Sequence, residues 1–222
     1  MSDPLWLAGL AVAMAITGLL SGTLAGLLGV GGGIVIVPVL FNVFPLLGIP
    51  EAVQMKLAVG TSLATIIPTS IVSARKHHAK GAIDTGLLKA IWPSMILGVV
   101  LGTVLAIWLH GEALSAVFAT IALLVALNMG FTGVDFKLRD ITPRGPGLWG
   151  IGGFIGTVSA MMGIGGGTVG VPILSMFGTP IRSAVATSSV FGLIISIPAT
   201  LGFLYGGWGW RTCRPTRWAT ST

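Results

Sequence analysis

Residues 29–40 read Gly-Val-Gly-Gly-Gly-Ile-Val-Ile-Val-Pro-Val-Leu, and residues 163–174 read Gly-Ile-Gly-Gly-Gly-Thr-Val-Gly-Val-Pro-Ile-Leu. The second copy lies 134 residues after the first, and the pair Gly22-Thr23 recurs at Gly156-Thr157 with the same offset. In each copy, consecutive glycines interrupt an apolar run and a proline follows. A match of this length at a constant offset predicts two homologous halves.

The composition around these copies is that of a membrane protein. Hydrophobic residues make up 54% of the 222-residue chain and charged residues only 8%. Soluble proteins carry about 25% charged residues, which they need to cover a surface in water. We therefore expect an all-α polytopic membrane protein with two helical repeats. Apolar segments are predicted at 5–28, at 30–47 with glycine and proline breaks, and at 57–72, 87–109, 113–131, 147–162, 165–177 and 184–205.

Two short basic segments orient these predicted spans. Basic residues cluster at 75–80 and again at 137–144. Lys- and Arg-rich short loops stay in the cytoplasm, and the two spans between the clusters place both on one side. The side of the N-terminus stays open, because 30–72 makes either one net crossing or two. Two crossings would make the halves inverted repeats, as in many transporters.

The pattern divides the chain into a first repeat at 1–131, a cytoplasmic loop at 132–146 and a second repeat at 147–209. The net charge of +6 does not predict nucleic-acid binding, because three arginines lie in the last segment, 210–222, and most other basic residues lie in the two loops. The expected partners are the lipid bilayer and a small anion. Assembly into a homo-oligomer stays open.

Two interpretations of the Gly-x-Gly-Gly-Gly motif compete. Small residues let membrane helices pack closely around a flexible break. Alternatively, the glycines let backbone N–H groups converge on an anion at the positive end of the following helix. Broken helices at matching positions in two halves favour such a substrate site. The candidate residues are Gly29, Gly31, Gly32 and Gly33 in the first copy and Gly163, Gly165, Gly166 and Gly167 in the second.

Hydroxyl and basic side chains could complete the site. The pairs Thr61-Ser62 and Thr187-Ser188 occur in both halves and could donate to an anion, although such hydroxyls also bond their own or neighbouring helices. Lys56 and Arg182 precede these pairs and could attract an anion, although Lys56 could equally extend to the membrane interface.

Enzymatic chemistry has little support in the sequence. We find no nucleophile, base and acid in a catalytic pattern, no metal-ligand spacing and no phosphate-binding loop, and we expect no cofactor and no metal. The adjacent His77 and His78 are expected to be solvated in the basic loop. The single Cys213 excludes an intrachain disulfide.

With its repeated glycine motifs, the prolines that follow them and the Thr-Ser pairs, the sequence resembles the TauE/SafE-type sulfite exporter family of membrane permeases over about residues 5–209. The resemblance implies about eight spans in two halves. It also implies transport of sulfur-containing or related organic anions, such as sulfite, sulfonates and sulfoacetate. The expected location is the cell membrane, specifically a bacterial inner membrane, while the anion, the direction of transport and the coupling ion stay open.

Residues 210–222 depart from this family pattern. Adding the repeat offset to the first half predicts about 265 residues, so the second repeat is expected to lack its last two spans. Trp210 and the residues after it form a polar tail that a shifted reading frame near Gly209 would explain. Resequencing the gene tests this expectation. The alternative function is then a non-transporting membrane module or an inactive truncated product.

Overall fold

The computed structural model describes residues 32–131 and 146–212, together with residues 9, 15, 18, 19, 22 and 23 of the preceding segment. Side chains are described within 32–127 and 147–207. The rest of the predicted span at 5–28, Gly29, Gly31, most of the 132–146 loop and the tail beyond 212 lie outside the described residues. The described elements are α1 Gly33–Val43, a 3-10 helix Phe44–Leu47, α2 Glu51–Ala79, α3 Thr85–Trp108, α4 Gly111–Phe131, α5 Pro146–Met162, α6 Gly167–Met176 and α7 Ile181–Thr212.

The predicted all-α membrane fold is confirmed. Glu51–Ala79, Thr85–Trp108 and Ile181–Gly207 are long and apolar enough to cross a bilayer. Leu97 on α3 and Leu201 on α7 are 64% and 61% exposed, as expected for lipid-facing side chains. At one end of the bundle, Trp108 and Tyr205 are also exposed, where the rings of membrane proteins meet the lipid headgroups.

Helices α2 and α7 cross the bundle in opposite directions. Near the start of α2, a Cβ atom on Gly60 would lie 3.4 Å from Phe203 Cβ, late in α7. Further along α2, Ser70 packs against Gly192, which is earlier in α7. The contact order is therefore reversed, as it is for equivalent helices of inverted repeats.

The basic segment 75–80 defines one end of the bundle, here called the basic end. Helix α3 starts from it, with the Asp84 side chain capping the helix by accepting from Leu87 N at 2.9 Å. Helix α4 starts at the opposite end, called the distal end, where Gly111 lies near the carbonyl groups of Glu51 and Ala52. Helix α4 therefore runs back toward the basic end, while the second basic cluster, 137–144, lies outside the described residues.

Helices α5 and α6 form a hairpin that enters the bundle from the basic end and returns to it. Helix α5 runs parallel to α3, because Gly152 lies against Ile91 and Gly156 against Val99. After the break at 163–166, α6 runs back along α7 and joins it through the short segment 177–180. Helix α5, with 17 residues, is at the lower limit for a span, whereas α6, with 10 residues, is too short to cross a bilayer by itself, so the separate span predicted at 165–177 is not formed.

The helix positions follow the sequence repeat with one local shift. Helices α1 and α6 begin at Gly33 and Gly167, 134 residues apart. Helices α2 and α7 begin 130 residues apart, and Pro68 and Pro198 lie at this same spacing. Thr61 and Thr187 are only 126 residues apart, so the Thr-Ser pair of α7 lies one helical turn nearer the start of its helix.

The segment from Trp210 was interpreted as a polar tail, and the backbone of α7 continues into it as far as Thr212.

Candidate functional site

The two glycine segments meet inside the bundle. A Cβ atom at Gly33 would overlap the carbonyl oxygen of Gly163 and lie 2.6 Å from the Cα atom of Ile164. Only glycine permits this approach of α1 to the turn that joins α5 and α6, so the predicted close-packing role holds at Gly33. The structure therefore brings one predicted site residue from each half into direct contact.

The second glycine segment reverses the chain through residues with positive φ. Helix α5 ends when Gly163, at φ +70°, donates its N–H to Ser159 O at 3.0 Å. Gly165 and Gly166 follow at φ +74° and +83°, in the left-handed region that favours glycine. Helix α6 begins at Gly167, so the partial positive charge at its N-terminus lies at this turn.

A cavity of about 800 Å³ leads from this turn to the basic end. Gly32 and Ile36 of the first half contribute to its wall, as do Gly165 and Gly167 of the second. The remaining wall comes from the second half of α2, the first part of α7 and two described glycines of the preceding segment, Gly18 and Gly22. Six of the predicted glycines lie in the described residues: Gly32, Gly165 and Gly167 line the cavity, while Gly33, Gly163 and Gly166 belong to the packed contact and turn behind it.

The mouth of the cavity is basic. Lys76 and His77 line it where α2 reaches the basic end, and no Asp or Glu is found among the described lining residues. A cleft with one sign of charge attracts ligands of the opposite sign and raises their local concentration. The mouth therefore favours entry of anions.

A row of hydroxyl side chains on α2, which was not predicted from the sequence, connects the mouth to the turn. Thr65, Thr69 and Ser73 line the cavity at intervals of four residues, which places them on one helix face. Thr65 Oγ1 donates to Ser62 O at 2.7 Å and Thr69 Oγ1 donates to Ile66 O at 3.0 Å. These hydroxyl hydrogens must turn away from their own helix before they can bond an anion. The four-residue spacing was the available signal.

Ser188 is the predicted hydroxyl residue that the structure places on the cavity wall. Ser188 is 2% exposed, and its Oγ atom has no hydrogen-bond partner. A Cβ atom on Gly170 of α6 would lie 3.0 Å from this oxygen, so the hydroxyl group is close to the first turns of α6. Ser188 can therefore donate a hydrogen bond to a ligand without breaking an existing one.

The other predicted hydroxyl residues lie elsewhere. Ser62 is buried and donates to Gly163 O at 2.7 Å, which fixes the turn between α5 and α6 against α2. Thr187 is buried and accepts a hydrogen bond from Asp84 N at 3.1 Å, which joins α7 to the start of α3. Thr61 is half-buried and does not line the cavity. The pairs named from sequence thus serve different purposes in the two halves.

Neither predicted basic residue lines the cavity. Lys56 Nζ donates to Ile107 O at 2.6 Å, at the end of α3, where a cation favours the negative end of the helix dipole. Arg182 is exposed at the start of α7. Lys76 and His77, which were expected in a loop, lie in the last turns of α2, where Lys76 is exposed and both line the cavity.

The chain matches a family of membrane proteins along most of its length. The family model described as Sulfite exporter TauE/SafE matches residues 14–215. A Haemophilus influenzae "Probable membrane transporter protein" is 35% identical over 196 residues, which is 87% of this chain and 74% of the relative. A protein of the same description from Methanocaldococcus jannaschii is 31% identical over 204 residues, covering 86% and 74%. YunE of Bacillus subtilis is 26% identical over 220 residues, covering 88% and 79%. No solved structure matches this chain.

Proposed function

We propose that this chain, which belongs to the Sulfite exporter TauE/SafE family of membrane transporters, moves a small sulfur-containing anion such as sulfite or an organosulfonate. The relatives are described as membrane transporters without a substrate, so the anion is our inference. It rests on the family description together with the character of the cavity.

One observation supports the proposal most strongly. The cavity joins a basic mouth to a turn where an unpartnered hydroxyl group, Ser188, lies beside the N-terminal end of α6. Helix N-termini offer backbone N–H groups and a partial positive charge, which suit an oxyanion. A small sulfur oxyanion is far smaller than the cavity of about 800 Å³, so an organic substituent can also enter.

The path of the anion begins at Lys76 and His77 and continues along Thr65, Thr69 and Ser73. Each hydroxyl group can exchange its intrahelical bond for a bond to an anion oxygen, which limits the cost of removing water from the ion. At the inner end, Ser188 and the start of α6 hold the anion. Gly165 and Gly167 allow it to approach the backbone, because they lack side chains.

Within the described residues, two contacts close the distal side of the proposed site. Gly33 packs on Gly163, and Ser62 fixes the carbonyl group of Gly163 from the other side. In alternating access, one repeat moves against the other around a fixed site. We therefore infer that the contact between the glycine segments separates when the site opens toward the distal end. The anion crosses unchanged in this mechanism, and the protein is not an enzyme.

Flux measurements test this proposal. The purified chain is reconstituted into liposomes, and uptake of radiolabelled sulfite, thiosulfate, sulfate and methanesulfonate is measured with protein-free liposomes as the control. We expect saturable uptake of at least one of these anions, with competition among those that share the site. Uptake equal to that of protein-free liposomes for every anion would refute the proposal, and uptake that rises without saturation would indicate a channel instead.

A further inference from the structure

Ser70 of α2 is a second buried serine at the inner part of the cavity, besides Ser188 of α7. Ser70 is 8% exposed and Ser188 is 2% exposed, and both line the cavity. No hydrogen bond joins Ser70 to another described residue, and the Oγ atom of Ser188 has no partner either. A buried hydroxyl group without a partner costs stability, so each of the two needs a physical explanation.

The neighbouring residues on the same helices show how such hydroxyl groups are usually satisfied. Thr69, next to Ser70 on α2, donates to a carbonyl group of the preceding turn at 3.0 Å. Ser189, next to Ser188 on α7, makes the same kind of bond at 2.6 Å. Ser and Thr in helices commonly bond the backbone in this way. Ser70 and Ser188 do not, so their hydrogens can be donated to a ligand in the cavity.

The two serines meet around Gly192 of α7. A Cβ atom on Gly192 would overlap Ser70 Oγ, so the two helices touch at this point. Ser188 lies four residues before Gly192, which places it one turn away on the same face of α7, with Cβ positions about 5–6 Å apart. An oxyanion that accepts hydrogen bonds at about 2.8 Å from each donor oxygen can therefore reach both hydroxyl groups.

One hydrogen-bond acceptor lies beside these two donors. A Cβ atom on Gly192 would also lie 3.2 Å from Gly165 O. A carbonyl oxygen accepts hydrogen bonds and repels an anionic oxygen. The arrangement therefore fits an oxyanion that turns one uncharged group toward Gly165, either the organic substituent of a sulfonate or a protonated oxygen. Sulfate has neither group, because its charge is shared by all of its oxygens.

We propose that Ser70 and Ser188 together hold the anion, with one hydroxyl group from each of the equivalent helices α2 and α7 and with Gly165 O facing its uncharged group. This proposal rests on the proposed transport function and adds to it a second donor and a selection among sulfur oxyanions. Because α2 and α7 belong to different repeats, an anion bound by both hydroxyl groups links the two repeats. The proposal also explains why two buried donors are unpartnered within the described residues.

Removing one hydroxyl group at a time tests this pair. Ser70→Ala is expected to raise the KM for uptake of radiolabelled methanesulfonate by about tenfold or more, the factor for one lost hydrogen bond to a charged group. Ser188→Ala is expected to raise it similarly, and the double variant to raise it further. Ser189→Ala is the matched control and is expected to keep the KM, because Ser189 also lines the cavity but already donates to Ala186 O.

A stability measurement separates binding from folding. Because Ser70 makes no hydrogen bond within the described residues, Ser70→Ala is expected to unfold in detergent at the same midpoint as the wild type when no anion is added. Methanesulfonate is expected to raise the wild-type midpoint, since it binds the folded state, and to raise that of Ser70→Ala less. A lower midpoint for Ser70→Ala without anion would overturn the proposal, because Ser70 would then be a structural donor, as Ser62 is.

Competition between anions tests the role of Gly165 O. Uptake of radiolabelled methanesulfonate is measured with unlabelled ethanesulfonate or sulfate as the competitor. Half-inhibition by ethanesulfonate is expected at a concentration about tenfold or more below that of sulfate, because sulfate leaves an anionic oxygen against the carbonyl group. Equal inhibition by the two anions would overturn the selection.

The outcomes distinguish the serine pair from the function it depends on. Methanesulfonate uptake by the wild type with an unchanged KM in Ser70→Ala would overturn the pair alone. Uptake of other anions by the wild type without uptake of methanesulfonate would also overturn it and leave the transport function standing. Absence of uptake of every anion by the wild type would overturn both proposals.

Discussion

Gly32 and Gly166 occupy equivalent positions, 134 residues apart, each directly before the first residue of a short helix. Gly32 has φ −67°, an ordinary helical value, whereas Gly166 has φ +83° in the left-handed region. A Cβ atom on Gly32 would meet only the end of the Ile36 side chain, at 3.3 Å. One on Gly166 would lie 2.7 Å from Ile195 Cδ1 and 3.1 Å from Phe191 Cβ. The same sequence motif thus forms a cavity wall in one half and a left-handed, tightly packed turn in the other.

The largest loss of stability is expected from a substitution at Gly33, where the two glycine segments are in contact. Gly33→Ala places a methyl group on the backbone of Gly163 and Ile164, and backbone atoms cannot move aside as a side chain does. We expect a loss of about 3 kcal/mol or more in the free energy of unfolding. The measurement is the unfolding midpoint in detergent, with Gly32→Ala as the adjacent control. An unchanged midpoint for Gly33→Ala would show that the two glycine segments are not in contact.

A smaller difference is expected between the equivalent glycines themselves. Gly166→Ala forces a non-glycine residue into the left-handed region, which costs about 1–2 kcal/mol, with crowding against Phe191 in addition. Gly32→Ala requires only a shift of Ile36, so its unfolding free energy should stay within about 0.5 kcal/mol of the wild type. Equal losses in the two variants would indicate that both segments have the same backbone conformation.

The serine residues of the two Thr-Ser pairs should respond in opposite ways. Ser62→Ala leaves Gly163 O without its buried donor and should destabilise the protein by about 1–3 kcal/mol. Ser188→Ala removes an unpartnered oxygen, so stability should be retained while anion uptake falls. Unfolding midpoints and uptake rates of both variants check this. The assignment fails if Ser188→Ala is the less stable of the two.

The smallest effects are expected at the two basic residues. Lys56→Met removes the donor to Ile107 O at the end of α3 and should cost about 0.3–1 kcal/mol, the usual value for a cation at a helix C-terminus. Arg182→Met changes an exposed side chain and should leave the unfolding midpoint unchanged. Neither should abolish uptake. Loss of uptake in Lys56→Met at normal stability would instead restore the anion-attracting role expected from sequence.

Much of the architecture could be predicted because it depends on composition and spacing. The low charge content required a bilayer, and α1 and α6 begin 134 residues apart, at Gly33 and Gly167, with the same spacing as the sequence repeat. The short length of α6 could not be predicted, because an apolar segment next to glycines has the same pattern whether it crosses the membrane or ends inside the bundle. That choice depends on packing against α3 and α7.

The candidate site was predicted only in outline. The cavity ends at the glycine motif, but the sequence could not show that Gly32 borders open space while Gly33 contacts Gly163. Likewise, Ser62 and Ser188 occur in the same sequence context, and the shift of one helical turn between α2 and α7 gives them different neighbours. Thr65 and Thr69 were missed because they occur in only one half, whereas the repeat directed attention to residues present in both.

Uptake by a Gly32→Leu variant tests the central claim, that anions cross through the cavity between the two glycine segments. The added side chain projects into the cavity from a position with ordinary φ, so it can block the path without straining the backbone. Gly150→Leu is the matched control, because a Cβ atom there would meet nothing within 4 Å and Gly150 lies outside the cavity. We predict that Gly32→Leu reduces anion uptake to that of protein-free liposomes while Gly150→Leu retains it, with both proteins folded. Full uptake by folded Gly32→Leu would contradict the account.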